Sequence, residues 1–153
     1  MAQSSLCGTV QAEVEIKAPA DKVLEFYSNP KHFPKCSPAT ITSVDLHGGR
    51  WGTVGSITTW NYVLEGKTAT GKGITEAIDY KNKTLTMNVI EGDIMKDYKS
   101  FKFHMQAIPK GDNSLVRFTY EYEKLNDDVP DPKSLMEIET SIAKDVGAYL
   151  TRA

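Results

Sequence analysis

Apolar and polar residues alternate along most of this chain, and the runs of alternation divide it into strands. In 10–16, Val10, Ala12, Val14 and Ile16 share one face while Gln11, Glu13 and Glu15 share the other, which predicts a half-buried strand. Pro19 opens a short helix in which Ala20, Val23, Phe26 and Tyr27 recur at helical spacing, and Asn29-Pro30 ends it. Phe33-Pro34 falls in a second short turn or helix. Strands are expected at about 39–46, 53–64, 70–79, 84–91, 98–108 and 114–123. Their connections, among them Glu65-Gly66-Lys67, Tyr80-Lys81-Asn82, Gly92-Asp93 and Lys110-Gly111-Asp112-Asn113, are short and turn-rich, so neighbouring strands form antiparallel hairpins. After a loop over 127–132, Asp131 is expected to cap a helix with Pro132 at its first position. Leu135, Ile138, Ile142, Val146 and Tyr149 then form one apolar stripe, and Gly147 within it leaves room for close approach to the sheet.

The order of strand, two short helices, six strands and long helix predicts an α+β fold in which a curved antiparallel sheet wraps the C-terminal helix. The chain has 153 residues, which fits a single domain over 1–153.

Alternation also sorts side chains by face. Leu85, Met87 and Val89 point one way from their strand, Phe101, Phe103 and Met105 from the next, and Val116, Phe118, Tyr120 and Tyr122 from the last. These apolar sets belong to the concave face. In 56–64, Ile57, Thr59, Asn61 and Val63 share a face opposite Thr58, Trp60 and Tyr62. With Ile57 and Val63 inward, Thr59 and Asn61 are inward too, and supply polar groups for a ligand's hydroxyl or carbonyl. The flexible Met87 and Met105 suit the same surface, and Leu135, Ile138 and Ile142 close it from the helix. Alternation does not distinguish a filled core from a hollow one.

Composition narrows the partners. Apolar residues make up 40% and charged residues 25%, with net charge −2, so nothing draws the chain to nucleic acid or an anionic membrane. No run approaches the length of a membrane span, and 1–10 lacks a signal peptide's basic start and apolar stretch, so the cytoplasm is the expected location. Two cysteines, Cys7 and Cys36, are too few for a disulfide scaffold.

Three groups of motifs resemble a known family. The first is Phe33-Pro34-Lys35, then Ile41-Thr42-Ser43-Val44, then Trp51-Gly52-Thr53-Val54-Gly55. The second is Val89-Ile90-Glu91-Gly92-Asp93 with Tyr98-Lys99-Ser100-Phe101-Lys102. The third is Tyr122-Glu123-Lys124-Leu125 before the proline-flanked helix. In this order they resemble the major latex protein branch of the plant birch pollen allergen and pathogenesis-related superfamily, over about residues 8–150. The resemblance implies the helix-grip fold: a seven-stranded antiparallel sheet, two short helices in a V and a long C-terminal helix over a cavity. It implies binding of a lipophilic small molecule, such as a sterol, flavonoid, hormone or fatty acid, and a role in plant defence. Carried onto this chain, the family's pocket positions fall on Phe26, Ile57, Thr59, Leu85, Met87, Val89, Phe101, Phe103, Val116, Phe118, Tyr120, Ile138 and Ile142. The superfamily's Gly-x-Gly-Gly-x-Gly loop is replaced here by His47-Gly48-Gly49-Arg50-Trp51-Gly52, which weakens the case for a phosphate role of that loop.

Other chemistry finds little support. Gly66-Lys67-Thr68 lacks the first glycine of a phosphate-binding loop, since Asn61 stands there. His32, His47 and His104 are scattered, and no Cys/His pair has metal spacing, so no metal or cofactor is expected. His104 lies on the outward face, and His47 is either exposed or turned to the pocket mouth. The expected protein is a non-catalytic binder, as a monomer or weak dimer. The alternatives are an enzyme of condensation or isomerisation in the same cavity, or a weak ribonuclease, against which the acidic balance argues. Catalysis needs an inward acid or base, for which Tyr120, Tyr122 and Lys99 are the candidates, with Glu25 and Lys22 solvated.

Overall fold

The computed structural model describes residues 6–151; of the amino-terminal stretch 1–10 considered above, 1–5 lie outside the described residues. The strands are β1 (Cys7–Ile16), β2 (Ile41–Gly48), β3 (Ile57–Leu64), β4 (Lys67–Asp79), β5 (Thr84–Gly92), β6 (Tyr98–Lys110) and β7 (Asn113–Lys124). The helices are α1 (Ala20–Ser28), α2 (Phe33–Cys36) and α3 (Lys133–Leu150), with 3-10 turns at Pro30–His32 and Asp93–Lys96. All seven strands form one antiparallel sheet in the order β1-β7-β6-β5-β4-β3-β2. Each expected element is present. The sheet is a meander from β2 to β7, and β1, first in the chain, closes beside the last strand.

Local chemistry explains the turns. Glu65 and Gly66 both have positive φ, 52° and 79°, as a two-residue type I′ hairpin requires. The β5–β6 connection is longer than the expected hairpin, because Asp93–Lys96 makes a 3-10 turn. Gly92 before it has φ 117°, and a Cβ there would lie 2.4 Å from the Thr70 carbonyl oxygen, so only glycine fits. The Asp93 carboxylate accepts the Thr70 N–H at 2.7 Å, which holds the turn against β4.

One end of the concave face is packed shut. Across the ladder, Leu85, Met105 and Phe118 form one row, and Met87, Phe103 and Tyr120 the next. The first row lies towards α1, which packs on β5, β6 and β7, with the Tyr27 ring 5.7 Å from Phe118 and Asp21 paired to Lys83 at 3.0 Å. Phe33 joins Phe26, Tyr27 and Trp60 at ring distances of 4.7, 5.1 and 5.3 Å. Such edge and tilted pairs add about 0.5–1.5 kcal/mol each beyond burial.

The long helix starts differently from expectation. Pro132, not Asp131, holds the cap position, and no side chain caps it. Asp131 is turned back to the sheet, where its Oδ1 accepts from the Tyr122 hydroxyl at 2.9 Å and pairs with the Lys124 ammonium at 2.9 Å. Those two donors outcompete the helix N–H groups for the carboxylate. The Tyr98 hydroxyl donates to the Pro130 carbonyl at 2.8 Å, so the loop before α3 is tied to β6 and β7. At its far end α3 rests on β1, with Gly147 facing Ile16.

Candidate functional site

Beyond the packed row, sheet and helix do not meet. A cavity of about 160 Å³, partly open to the surface, lies between α3 and strands β3 to β7. It has room for on the order of ten water molecules. Trp60, Met87, Val89, Phe103, Leu135 and Ile138 border it and are only partly buried by other side chains.

The expected residues divide between this cavity and its surroundings. Met87, Val89, Phe101, Phe103, Tyr120, Leu135, Ile138 and Ile142 line it. Leu85, Met105, Val116 and Phe118 face inward but are at most 1% exposed and belong to the packed end, so they support the wall without bordering the space. Phe26 is part of the ring cluster with Phe33 and Tyr149, 5.6 Å from the latter.

The face of β3 corrects the sequence reading. Trp60 and Tyr62 line the cavity, and Ile57, Thr59 and Asn61 lie on the other face. The partner strand decides this: Thr58, Trp60 and Tyr62 stand opposite Gly73, Gly71 and Ala69 of β4. Those positions carry little or no side chain, so the indole and phenol have room on that face and bury more area than Ile57 and Val63 would. Asn61 then finds its partner outside, donating to the Ser43 hydroxyl at 2.8 Å.

The glycine-rich segment also stands apart. His47, Gly48, Gly49, Arg50, Trp51 and Gly52 contribute nothing to the cavity lining, and His47 and Arg50 are exposed. Gly49, Gly52 and Gly55 take positive φ, and the Gly55 N–H donates to the Thr75 carbonyl at 2.8 Å.

Among the catalytic candidates, Lys99 is exposed on the outer face near Glu123, and the Tyr122 hydroxyl is committed to Asp131; neither reaches the cavity. Tyr120 does, and its hydroxyl donates to Oε1 of Glu139 at 2.8 Å. Glu139, Tyr27, Phe33, Ile41, Tyr62 and Ile94 line the space without having been expected there. For Glu139 a signal existed: 135, 138, 139 and 142 follow the i, i+3, i+4, i+7 pattern, so the periodicity that found its apolar neighbours places it inward as well. Ile41, Phe33 and Ile94 come from a strand start, the short helix α2 and a 3-10 turn, where alternation carries no phase.

The electrostatics of the interior follow from desolvation. Burial pushes the Glu139 carboxyl up from 4.5 to about 7, against the opposing hydrogen bond from Tyr120. Burial likewise raises Tyr120 and Tyr27 well above the usual phenol value, with the Glu139 charge adding to both. Tyr62 is pushed up to about 12 by burial and then by Asp93. Among the described residues, the hydroxyls of Tyr27 and Tyr62 are buried without a hydrogen-bond partner. Lys72 borders the cavity between Gly71 and Gly73, but its ammonium pairs with Glu91 at 3.6 Å.

The outer face of the sheet is balanced. Lys102–Glu76, Arg117–Glu13 and His104–Glu121 pair across strands at 3.3, 2.8 and 3.0 Å. Among the described residues no group of side chains is arranged to hold a metal ion, and no helix is long and apolar enough to cross a membrane.

Residues 5–153 match the model of the pathogenesis-related protein Bet v 1 family. The chain is 43% identical to MLP-like protein 34 of Arabidopsis thaliana over 93% of its length, but spans only 46% of that protein. It is 41% identical to MLP-like protein 43 of the same plant, covering 96% of this chain and 95% of that protein. Thus it spans about half the length of some relatives and nearly all of others. Its fold is similar to the crystal structure of ginseng major latex-like protein 151 from Panax ginseng, with TM-score 0.92, 35% identity, and 96% and 99% of the two chains covered.

Proposed function

We propose that this chain, which belongs to the pathogenesis-related protein Bet v 1 family, binds lipophilic plant metabolites in its internal cavity and carries or stores them. The observation that supports this reading is the hollow between α3 and the sheet, about 160 Å³ and lined mainly by aromatic and aliphatic side chains. A ligand there gains about 25 cal/mol for each Å² of apolar area removed from water, and few polar groups remain to orient it. Such a site discriminates weakly, since one methylene is worth about 1–3 kcal/mol. In this shape the cavity suits a compact ligand; a sterol-sized one needs α3 or the Asp93–Lys96 turn to move outward. The reading includes a single domain over 1–153, a cytoplasmic location, a monomer or weak dimer, and a part in defence or stress responses.

The test is uptake of 1-aminoanthracene, a dye that brightens out of water. Phe103→Trp adds bulk to the cavity wall and should weaken uptake at least fivefold while the far-ultraviolet dichroism stays the same. Undiminished uptake would remove the cavity as the binding site.

A catalytic reading rests on one observation, the Tyr120–Glu139 pair inside the cavity, an acid–base couple of the kind condensation or isomerisation needs. Native mass spectrometry of the protein from its own tissue separates the readings: a retained small molecule supports carriage, a substrate converted on incubation supports catalysis, and neither supports a role in protein interaction.

A further inference from the structure

Among the described residues lining the cavity, Glu139 is the one acidic side chain. The Tyr120 hydroxyl donates to it at 2.8 Å. Among the described residues no lysine, arginine or histidine forms an ion pair with it. An ionised carboxylate offers about four acceptor sites, so most of its capacity is unused. Tyr27 and Tyr62 also line the cavity, and their hydroxyls are buried without a hydrogen-bond partner among the described residues. Tyr27 is only 4% exposed, and both it and Tyr120 feel the Glu139 charge. Glu139 and the phenols of Tyr27, Tyr62 and Tyr120 thus stand in a lining that is mainly apolar and includes the rings of Phe33, Phe101 and Phe103.

We propose that Glu139, with the hydroxyls of Tyr27, Tyr62 and Tyr120, forms an anchoring subsite for a protonated amine carried on a compact apolar body. The proposal deepens the reading of the cavity as a ligand site and rests on it. Three ligand classes can be compared. A neutral ligand displaces water from the carboxylate and leaves its charge without a partner. An anion adds repulsion to that cost. An ammonium neutralises the charge, and its remaining N–H groups find acceptors in the Tyr27 and Tyr62 oxygens, the condition under which a buried ion pair is net favourable. Aromatic faces around the cation add cation–π attraction. Lys72 does not compete, because its ammonium is engaged with Glu91.

The experiment is calorimetric titration of the intact chain at pH 8 with octylamine, 1-octanol and octanoate, which share one apolar body. Octylamine should bind at least tenfold more tightly than octanol, and octanoate weakest. In Glu139→Gln the preference for octylamine over octanol should fall to about twofold or less. Equal binding of amine and alcohol, or tightest binding of octanoate, would overturn the amine subsite while leaving the cavity reading intact. No binding of any of the three would overturn the cavity reading itself. The wild-type series decides the matter even if the variant fails to fold.

Discussion

Glu139 has surrendered much of its hydration to the interior, and the consequence for stability has a definite sign. Its folded carboxyl titrates at about 7, above the ordinary 4.5. Between those values the folded chain holds a proton that the unfolded chain has released, so stability falls as pH rises through that window. The whole effect is on the order of 3 kcal/mol, present in full below 4.5 and lost above 7. The groups facing the carboxyl are Tyr120 from β7 and Tyr27 from α1, both phenols held neutral by burial, so neither titrates within the window. Glu139→Gln should therefore remove the slope: in urea unfolding the variant gains on the wild type by about 3 kcal/mol between pH 4.5 and pH 8. A constant difference would mean that the carboxyl is solvated after all. An acid kept at this cost to the fold is what a ligand-facing group would be expected to show.

Among the elements, β4 decides more than its composition suggests. Gly71 and Gly73 leave its inner face bare, and that absence turns Trp60 and Tyr62 of β3 inward. The Met87 Sδ-methyl end lies 3.4 Å from where a Gly73 Cβ would be, so the space is shared with β5. The Asp93–Lys96 turn extends this wall with Ile94, and its geometry depends on Gly92. Gly92→Ala would press a methyl into the Thr70 carbonyl from a backbone conformation closed to other residues. The expected cost is about 3 kcal/mol or more of unfolding free energy in a urea melt; a change under about 1 kcal/mol would show that the turn relaxes freely.

For the molecule as a whole, one sheet face serves two purposes. The rows under α1 are packed shut and stabilise the fold, and the next rows are left short of partners and form the cavity. A ligand that fills the second set stabilises the folded chain alone, by about 2.7 kcal/mol at a concentration one hundred times Kd. For a chain of this size that corresponds to a rise in Tm of roughly 5–10 °C. Octylamine at such a concentration, followed by dichroism at 222 nm, should produce that rise. Saturating ligand with no rise would place it on the surface or on the unfolded chain.

The periodicities of the chain sufficed for its elements, their antiparallel pairing and the inward faces of β5, β6, β7 and α3, because alternation and helical spacing are local properties of a sequence. They erred where the phase was set by something distant. The face of β3 depends on the missing side chains of β4, and the role of Asp131 on two donors from β7. Whether Leu85 and Met87, two residues apart on one face, end in packed core or beside a cavity depends on where α1 stops covering the sheet. Only the assembled tertiary structure fixes that, since a void is defined by what fails to reach it.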